Sequence, residues 1–407
     1  MRIGLNLLYL LPDLVGGTQI YAEELMKGLA TVDKENEYIV FLNREAAALP
    51  LPEGFQRVVC PISALSRFKR YLWEQGTFPR FLRPFKLDVL HSLGYVGPLR
   101  TPCPHAVTIH DISYIGMGKA MPRSRRLTLG VLVPRCARRA DRVIAVSEFS
   151  RREIAQHTGA PLDKIDVTLE ACRELPPPAR ESWDELATQY AVAEPYLVAF
   201  SSTGGHKNLA RLVKAFAQVA DEVPHHLLFI GRLAKGGDTS GGDIARAVEG
   251  TGLENRVSAT GYIPEDHILP LLQHADAFAF PSWYEGFGLP VLEAQRAGLP
   301  VACSMAASLP EVAGDAAIYF DPLSTEEMAD ALRSLLTDPT RRQALAQAST
   351  ENVRRFSWEQ TARETLRSYH HAIAAYTLRT YRRAVADARP HHGVVSPSPQ
   401  RDTFNES

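Results

Sequence analysis

Two glutamates separated by seven residues frame the most distinctive chemical pattern in this 407-residue chain. Residues 285–293 read Glu-Gly-Phe-Gly-Leu-Pro-Val-Leu-Glu, with Glu285 and Glu293 at the ends. Carboxylates placed in this way can accept hydrogen bonds from the vicinal hydroxyls of a sugar. Gly286 and Gly288 would let backbone amides approach a ligand closely. The alternative is a loop glutamate on the surface and a favourable charge near a helix N-terminus, but the intervening glycines favour a binding site.

The same segment predicts the start of a helix. Pro290 suits the first helical turn, which places the N-terminus at about Leu289. Free N–H groups and the positive end of the helix dipole make such an N-terminus a ready site for phosphate. The apolar residues 277–280 before it predict a strand, so the loop at the carboxyl end of that strand is expected to bind a ligand that carries phosphate and hydroxyl groups.

A second polar loop, Ser-Ser-Thr-Gly-Gly-His-Lys-Asn-Leu at residues 201–209, lies between a predicted strand and a predicted helix. Lys207 could supply positive charge to a departing diphosphate, assisted by the loop amides. The alternative is that Lys207 is a solvated lysine at the start of a helix, without a functional role. The position of the loop, one strand–helix unit into the second half, favours the functional interpretation.

Two loops of the first half also follow predicted strands. Gly16 and Gly17 begin the segment Gly-Gly-Thr-Gln, which on its own indicates an ordinary strand-to-helix turn. His110 and Asp111 are adjacent, but neighbouring residues at a strand end point apart, so they do not predict a catalytic dyad. A lone histidine is usually structural. Ser147 is predicted to cap the helix that follows it.

Apolar strands alternate with helical stretches along the whole chain, which predicts mostly parallel sheets covered by helices. The first strand is expected at residues 3–11, and the pattern restarts after the three prolines of residues 175–179. We therefore predict two doubly wound α/β domains, residues 1–175 and 176–356. A helical segment, 357–388, and a disordered tail, 389–407, complete the chain. In such domains ligands lie at the carboxyl ends of the strands, where every motif above is placed.

The overall composition is that of a globular protein, with 45% hydrophobic and 22% charged residues. Five scattered cysteines without a C-x-x-C pair argue against a disulfide framework or a zinc site and for a reducing cytoplasm. No apolar run approaches the roughly 18–20 residues of a membrane span, and the N-terminal apolar stretch lacks a cleavage site. We expect a cytoplasmic protein. The absence of an Asp-x-Asp motif predicts no obligatory metal.

Positive charge is concentrated in residues 57–152, which contain 18 Lys or Arg and 5 Asp or Glu, although the whole chain has a net charge of −1. Basic and aromatic residues alternate in part of this region, which suits an anionic membrane leaflet or a lipid-diphosphate headgroup at about 1 kcal/mol per basic residue. Nucleic acid could also attract the charge, but no binding module is recognisable. A solvated basic face is the remaining alternative. The two groups contain Arg67, Phe68, Lys69, Arg70, Tyr71, Trp73, Phe78, Arg80, Phe81, Arg83, Phe85 and Lys86, and Arg123, Arg125, Arg126, Arg135, Arg138 and Arg139.

At residues 285–293, and at Ala-Gly-Leu-Pro-Val (297–301) and Ser-Leu-Pro-Glu (308–311), the chain resembles retaining glycosyltransferase family 4, the glycosyl transferases of group 1. It is similar to the bacterial mannosyltransferase-like branch, which acts in O-antigen and exopolysaccharide synthesis. The resemblance implies a GT-B fold, in which two Rossmann-like domains face each other across a cleft. It also implies that the C-terminal domain holds the donor nucleotide and the N-terminal domain the acceptor.

By the same resemblance, Glu293 would bind the ribose hydroxyls of the donor and Glu285 would contact the transferred sugar. The amides of Phe287, Gly288 and Leu289 would line the diphosphate and the sugar. All five positions match the motif of the family in this sequence.

The 201–209 loop departs from the family pattern. Similar proteins commonly carry an arginine beside the lysine, where this chain has His206, and sometimes another at the position that Ser202 occupies here. These two residues would still belong to the donor site. Lys207 is left as the one permanent cation of the loop.

The resemblance also places the first-half loops in the cleft. Gly16 and Gly17 would approach the donor phosphates, His110 would lie beside the transferred sugar, and Gln19 would reach the acceptor. The predicted reaction moves a sugar, by resemblance mannose from GDP-mannose, to a hydroxyl of a lipid-linked or polysaccharide acceptor in cell-surface glycan synthesis. UDP-hexoses and dTDP-rhamnose are alternative donors. A sugar-nucleotide epimerase and a non-catalytic sugar-nucleotide sensor are alternative functions.

Overall fold

The computed structural model describes residues 1–12, 16–116, 121–174, 180–201, 204–231 and 239–387. Within these residues, the first half contains seven strands. They are β1 (Arg2–Leu7), β2 (Glu37–Leu42), β3 (Gln56–Val59), β4 (Val89–Ser92), β5 (His105–Ile109), β6 (Arg142–Ala145) and β7 (Ile165–Val167). The helices described between them are α1 (Gly17–Val32), α2 (Arg67–Gly76), α3 (Phe78–Phe81), α4 (Ser113–Gly116), α5 (Arg123–Arg139) and α6 (Glu148–Thr158).

The second half repeats the alternation. Its strands, within the described ranges, are β8 (Tyr196–Phe200), β9 (His226–Ile230), β10 (Val257–Ala259), β11 (Ala277–Phe280), β12 (Val301–Ser304) and β13 (Ala317–Phe320). Its helices are α7 (Trp183–Gln189), α8 (Leu209–Val219), α9 (Thr239–Val248), α10 (Ile268–Gln273), α11 (Leu289–Arg296), α12 (Leu309–Ala313), α13 (Thr325–Thr337), α14 (Pro339–Val353) and α15 (Trp358–Asp387).

Both sheets are parallel and doubly wound. The first has the order β3-β2-β1-β4-β5-β6-β7 and the second the order β10-β9-β8-β11-β12-β13. Each sheet begins with an interior strand, β1 or β8, and the next two strands are added on one side of it. The chain then crosses over and adds the remaining strands on the other side, so the strand order reverses between β1 and β4 and between β8 and β11. This confirms the predicted fold class of two doubly wound α/β units and brings the loops after β1, β5, β8 and β11 to the ligand-binding edges.

The first strand is shorter than the apolar run that predicted it. β1 ends at Leu7, and the Asn6 side chain accepts a hydrogen bond from the Leu8 amide at 3.1 Å. Leu8 and Leu10 are nevertheless fully buried. The prediction of a strand to residue 11 was wrong because buried loop residues have the same apolar composition as a strand interior.

Helix α15 packs against the first half of the chain. Gly28 of α1 lies so close to it that a Cβ atom there would meet the Trp358 carbonyl oxygen at 2.5 Å. His91 Nδ1 and Tyr369 Oη are 2.8 Å apart, and Thr361 donates to the Leu169 carbonyl at 2.5 Å. Helix α15 therefore packs on the first half of the chain although it follows the second half in sequence.

The structure leaves some predictions untested. The predicted linker at 175–179 and the predicted tail from 389 lie outside the described residues, so the domain boundaries stay predictions. Within the described ranges, no helix has the length and apolar character needed to cross a bilayer.

Candidate active site in the interdomain cleft

A cavity of about 540 Å³ lies between the carboxyl edges of the two sheets. This volume is within the range of about 300–1,000 Å³ that small-molecule sites occupy. Both halves of the chain contribute to its lining. Eight of the residues that the sequence analysis assigned to the donor, sugar or acceptor site line it: Gly17, His110, Lys207, Glu285, Phe287, Gly288, Leu289 and Glu293.

Helix α11 begins at Leu289, as predicted, with Pro290 in its first turn. Gly288 precedes it with a φ of 116°, a conformation that side chains rarely adopt. The Ser308 hydroxyl donates to the carbonyl groups of Glu285, at 3.0 Å, and Phe287. These contacts fix the loop, whose residues Phe287 and Gly288 line the cavity together with Leu289 at the start of α11.

Gly286 has a steric role that its sequence context did not show. A Cβ atom at this position would lie 2.2 Å from the carbonyl oxygen of His110, which belongs to the opposite domain. The absence of a side chain therefore permits a close approach between the two domains, in addition to the close approach of backbone amides to a ligand that the sequence predicts. A side chain here would force the halves of the cleft apart.

Further hydrogen bonds join the domains at the same place. Ser147 and Ser150 donate from their hydroxyls to the Gly286 carbonyl at 2.6 and 2.9 Å. Ser147 also accepts from the Ser150 amide at 3.0 Å, which confirms the predicted cap of α6. The Glu311 carboxylate accepts from the amides of Glu148 and Phe149, where a negative charge interacts favourably with the helix dipole.

Lys207 and Glu285 form an ion pair inside the cavity. Lys207 Nζ lies 2.6 Å from Glu285 Oε1, and the two side chains are only 15% and 14% exposed. Lys207 ends a short 3₁₀ turn, Gly205–Lys207, and lies 5.1 Å from the centre of the Phe280 ring. Asn208 fixes the turn by donating to the carbonyls of Pro281 and Pro322. The predicted cation thus has a defined position and a partner.

His206 and Ser202 are placed differently. The His206 carbonyl accepts from the Trp283 amide at 3.0 Å and from the Ser282 hydroxyl at 3.1 Å. Burial and the neighbouring charge of Lys207 lower the pKa of His206, which disfavours a charged ring. Ser202 lies outside the described residues, and a role for either residue in the donor site stays a prediction.

Glu293 is buried at the other end of the cavity and faces an arginine that the sequence reasoning missed. Arg173 Nε lies 3.7 Å from Glu293 Oε1, while Arg173 Nη1 lies 2.5 Å from Glu265 Oε1. Burial raises the pKa of Glu293, and the charge of Arg173 acts against this shift. Arg173 is therefore a second cation in the lining of the cleft.

His110 lies on the opposite wall with both ring nitrogens close to oxygen atoms. Its Nδ1 is 3.1 Å from Glu170 Oε1, and its Nε2 is 3.1 Å from the Leu93 carbonyl oxygen. Because a carbonyl oxygen only accepts, Nε2 must donate. Asp111 instead accepts from Tyr95 at 2.6 Å and from the Ser113 amide at 2.7 Å, so the adjacent pair points apart as expected.

Glu170 and Arg173 could have been predicted as site residues only if β7, the strand that precedes them, had been recognised in the sequence. Both follow this strand on the segment Thr-Leu-Glu-Ala-Cys-Arg (168–173), and a carboxylate and an arginine after a strand would fit the pattern of the other loops. β7 has only three residues and contains Asp166. Such a short edge strand has too weak an apolar pattern to be predicted.

The glycine loop of the first half lies at the N-terminus of α1. Gly17 and Thr18 line the cavity, whereas Gly16 precedes the helix as its N-cap. The Gln19 side chain donates to Glu23 at 2.9 Å within the helix. Gln19 is absent from the described lining of the cavity, and its predicted contact with an acceptor is untested.

The basic region does not present the aromatic surface that its sequence indicated. Phe78 is fully buried, and Trp73, Phe81 and Phe85 pack against the same core. Of these alternating aromatic residues Phe68 is the strongly exposed one, at 73%. The prediction was wrong for the buried rings because they pack against residues of β2 and β4, and the local sequence pattern does not specify which side of a helix faces the sheet.

The comparisons with known proteins agree with the geometry. The family model of Glycosyltransferase Family 4 matches residues 15–168 and that of Glycosyl transferases group 1 matches residues 187–352. O-antigen chain mannosyltransferase B of Escherichia coli is 29% identical over 292 residues, which cover 71% of this chain and 75% of that protein. Serotype-specific mannosyltransferase WbdA of Escherichia coli is 28% identical over 264 residues, 63% of this chain but only 31% of that longer protein.

A solved structure has the same fold at lower identity. HepE of Anabaena, in complex with UDP and glucose, superposes with a TM-score of 0.68 at 19% identity, covering 90% of this chain and 99% of that one. The two family models together span most of both α/β units. The chain therefore belongs to glycosyltransferase family 4, within the glycosyl transferases of group 1, and is a glycosyltransferase with the GT-B fold.

Proposed function

We propose that this glycosyltransferase moves a mannosyl group from GDP-mannose to a hydroxyl of a lipid-linked or polysaccharide acceptor, with retention of the anomeric configuration, in cell-surface glycan synthesis. The observation that carries the proposal is the pairing of Lys207 with Glu285 in one cavity with the N-terminus of α11. The choice of mannose is supported by the names of the Escherichia coli relatives, which are mannosyltransferases.

The donor would lie along the C-terminal wall of the cleft. Glu293 would accept hydrogen bonds from the ribose hydroxyls, held in place by Arg173 at 3.7 Å. The diphosphate would meet the amides of Phe287, Gly288 and Leu289, because the amino end of a helix favours anions.

Lys207 would supply the charge that catalysis needs. When the bond between the sugar C1 and the diphosphate oxygen breaks, negative charge develops on the diphosphate, and a fixed cation in a site shielded from water stabilises it strongly. Glu285 holds Lys207 before binding and would contact the sugar hydroxyls afterwards. The proton of the acceptor hydroxyl would pass to the departing diphosphate oxygen as the new C1–O bond forms on the same face.

His110 would line the opposite side of the transferred sugar. Its ring is held in one orientation by Glu170 and by the Leu93 carbonyl. It would therefore contact a hydroxyl of the sugar in a fixed position. The acceptor would enter from the N-terminal domain. We further propose that the reaction needs no divalent metal and that the protein acts at the cytoplasmic face of an anionic membrane.

A screen of nucleotide sugars tests the donor. GDP-mannose, UDP-glucose and dTDP-rhamnose are compared for the increase in melting temperature that each produces, and the best ligand is incubated with lipid-linked acceptors with and without EDTA. Release of the nucleoside diphosphate only when acceptor is present supports the transferase. Conversion of the donor sugar without acceptor would establish an epimerase, and binding without any release would establish a sensor.

A further inference from the structure

A second cavity opens from the cleft into the N-terminal domain. It has a volume of about 160 Å³ and shares Thr18, Tyr95 and Asp111 with the main cavity. Three arginines, Arg67, Arg70 and Arg125, also line it. A molecule that reacts in the cleft could therefore extend through the second cavity and contact these arginines.

A wide apolar groove continues from the second cavity between α2 and α5. It has a volume of about 690 Å³ and shares Arg67, Tyr71 and Arg125 with that cavity. Large apolar side chains on both helices line the groove and are 48–73% exposed to solvent. They are Phe68 and Leu72 on α2, and Leu127 and Val131 on α5.

The arginines at the junction carry positive charge without matching carboxylates. Among the ion pairs of the described residues, Arg67, Arg70 and Arg125 have no partner within 4.0 Å. Arg70 is 8% exposed, and its buried Nε atom has no hydrogen-bond partner in the described part of the chain.

Two carboxyl groups, Asp111 and Glu74, lie near these arginines without forming an ion pair with them among the described residues. Partial burial, and after it the charge of the nearby Arg125, lowers the pKa of the Arg67 guanidinium. Asp111 lines the inner end of the second cavity, where Tyr95 and the Ser113 amide donate to it. The Glu74 carboxyl lies near Arg70; burial raises the pKa of Glu74, and the charge of Arg70 acts against this shift.

We propose that the second cavity and the groove bind an acceptor in which a phosphate or diphosphate joins the accepting sugar to a hydrocarbon chain. The phosphate would lie at Arg67, Arg70 and Arg125, the hydrocarbon would cover Phe68 and Leu127, and the sugar would reach the cleft. This inference rests on the proposed transfer reaction, and it selects the lipid-linked acceptor over a free polysaccharide.

Two physical arguments support this occupant. Arginines bind phosphate oxygens through several charge-assisted hydrogen bonds, and unpaired guanidinium groups at the mouth of an apolar groove complement an anionic headgroup with an apolar tail. Large apolar side chains from two helices also lie side by side in the groove, where a hydrocarbon chain could cover them. A neutral sugar chain would neither balance the charge of the arginines nor cover the apolar helix faces with hydrocarbon.

Binding of dodecyl phosphate, measured by isothermal titration calorimetry below its micelle concentration, tests the proposal. Inorganic phosphate and dodecyl maltoside present the anion and the chain separately. We expect dodecyl phosphate to bind at least about tenfold more tightly than either. Equal affinity for inorganic phosphate would overturn the role of the groove, and equal affinity for the maltoside would overturn the role of the arginines.

Two double variants locate the binding. Arg67→Ser with Arg125→Ser, and Phe68→Ser with Leu127→Ser, should each lower the affinity for dodecyl phosphate by about tenfold or more. Lys69→Ser on α2 and Leu162→Ser are the matched controls, since both residues are exposed and lie outside the groove. Unchanged affinity in either double variant would contradict the proposal.

Folding and donor binding are measured on the same variants. All substituted residues are exposed, so melting temperatures should stay close to that of the wild type, and GDP binding should be unchanged. If GDP did not bind the wild type, the donor proposal would fail while the dodecyl phosphate result still decided the acceptor site. If the wild type dimerised in sedimentation and the Phe68→Ser, Leu127→Ser variant did not, the groove would belong to a second copy of the chain and the proposal would be overturned.

Discussion

Lys207 Nζ lies 2.6 Å from Glu285 Oε1, with both side chains largely shielded from water. The cation that would stabilise a departing diphosphate is therefore already held by the carboxylate that would contact the sugar. Such preorganisation lowers the cost of rearranging the site during the reaction.

Lys207→Ala should lower kcat by about 100-fold, because one preorganised electrostatic group is lost from the transition state. The KM for the donor should change much less. Steady-state kinetics at saturating acceptor measure both values. Lys214→Ala, an exposed lysine on α8, is the control and should keep wild-type kinetics. An equal loss in both variants would show that Lys207 has no specific role.

A double-mutant cycle of unfolding free energies tests whether Lys207 and Glu285 interact in solution. Removing one member leaves the other as an uncompensated, mostly buried charge, so Lys207→Ala should cost about 1–2 kcal/mol of unfolding free energy. Combining it with Glu285→Gln should cost less than the sum of the two single changes. Urea unfolding of the four proteins measures the coupling. Simple additivity would mean that the ion pair is not formed in solution.

Glu293→Gln should weaken donor binding by about 10- to 100-fold, since a buried carboxylate accepts from two hydroxyls and an amide does so poorly. Glu265→Gln is the matched control, because Glu265 also pairs with Arg173 but does not line the described cavity. Calorimetry with GDP-mannose distinguishes the two. If both variants bound the donor equally well, the ribose assignment of Glu293 would be wrong.

The raised pKa of Glu293 gives stability a pH dependence of known sign. The native protein keeps this proton at a higher pH than the unfolded chain, whose glutamates titrate at about 4.3. The contribution of this carboxyl is thus fully present below that value and is lost as the pH rises through the raised native pKa. The Glu293→Gln variant should become more stable relative to the wild type as the pH increases through this window. Urea unfolding at a series of pH values measures the difference, and parallel curves would contradict it.

Glu170 is a positioning residue for His110, whose Nδ1 lies 3.1 Å away. Glu170→Gln should lower kcat by about tenfold while leaving the donor KM unchanged, because a misdirected ring affects the reacting sugar more than the nucleotide. Glu170→Asp should recover part of the lost rate. A rise in KM with unchanged kcat, or no recovery with aspartate, would assign Glu170 a structural role only.

Gly286→Ala should open the cleft, because the new Cβ atom would lie 2.2 Å from the His110 carbonyl oxygen. We expect a larger radius of gyration by small-angle X-ray scattering and a loss of about 100-fold in kcat, as small displacements of reacting groups are costly. Gly130→Ala in α5 is the control, since a Cβ atom there meets nothing within 4 Å. Unchanged scattering together with full activity would show that the closed arrangement is not required.

The sequence by itself determined the alternation of strands and helices, the doubly wound class and the start of α11. These features depend on local patterns: apolar runs, glycine at turns, and Pro290 in a first helical turn. It also placed most of the binding motifs, because parallel strands bring the loops at their carboxyl ends to one edge.

Only the tertiary structure decided which of these groups meet. The pairs Lys207–Glu285, Glu293–Arg173 and His110–Glu170 join residues 60 or more positions apart in the chain. Their contacts depend on how the sheets pair and how the two domains meet, as does the approach of Gly286 to the His110 carbonyl. The burial of Phe78 and the exposure of Phe68 depend in the same way on the face that each helix turns inward. These positions are set by packing between distant segments and not by the local sequence pattern. The hydrophobic effect depends on the total apolar area removed from water and is non-directional, so it does not by itself specify which residues are buried.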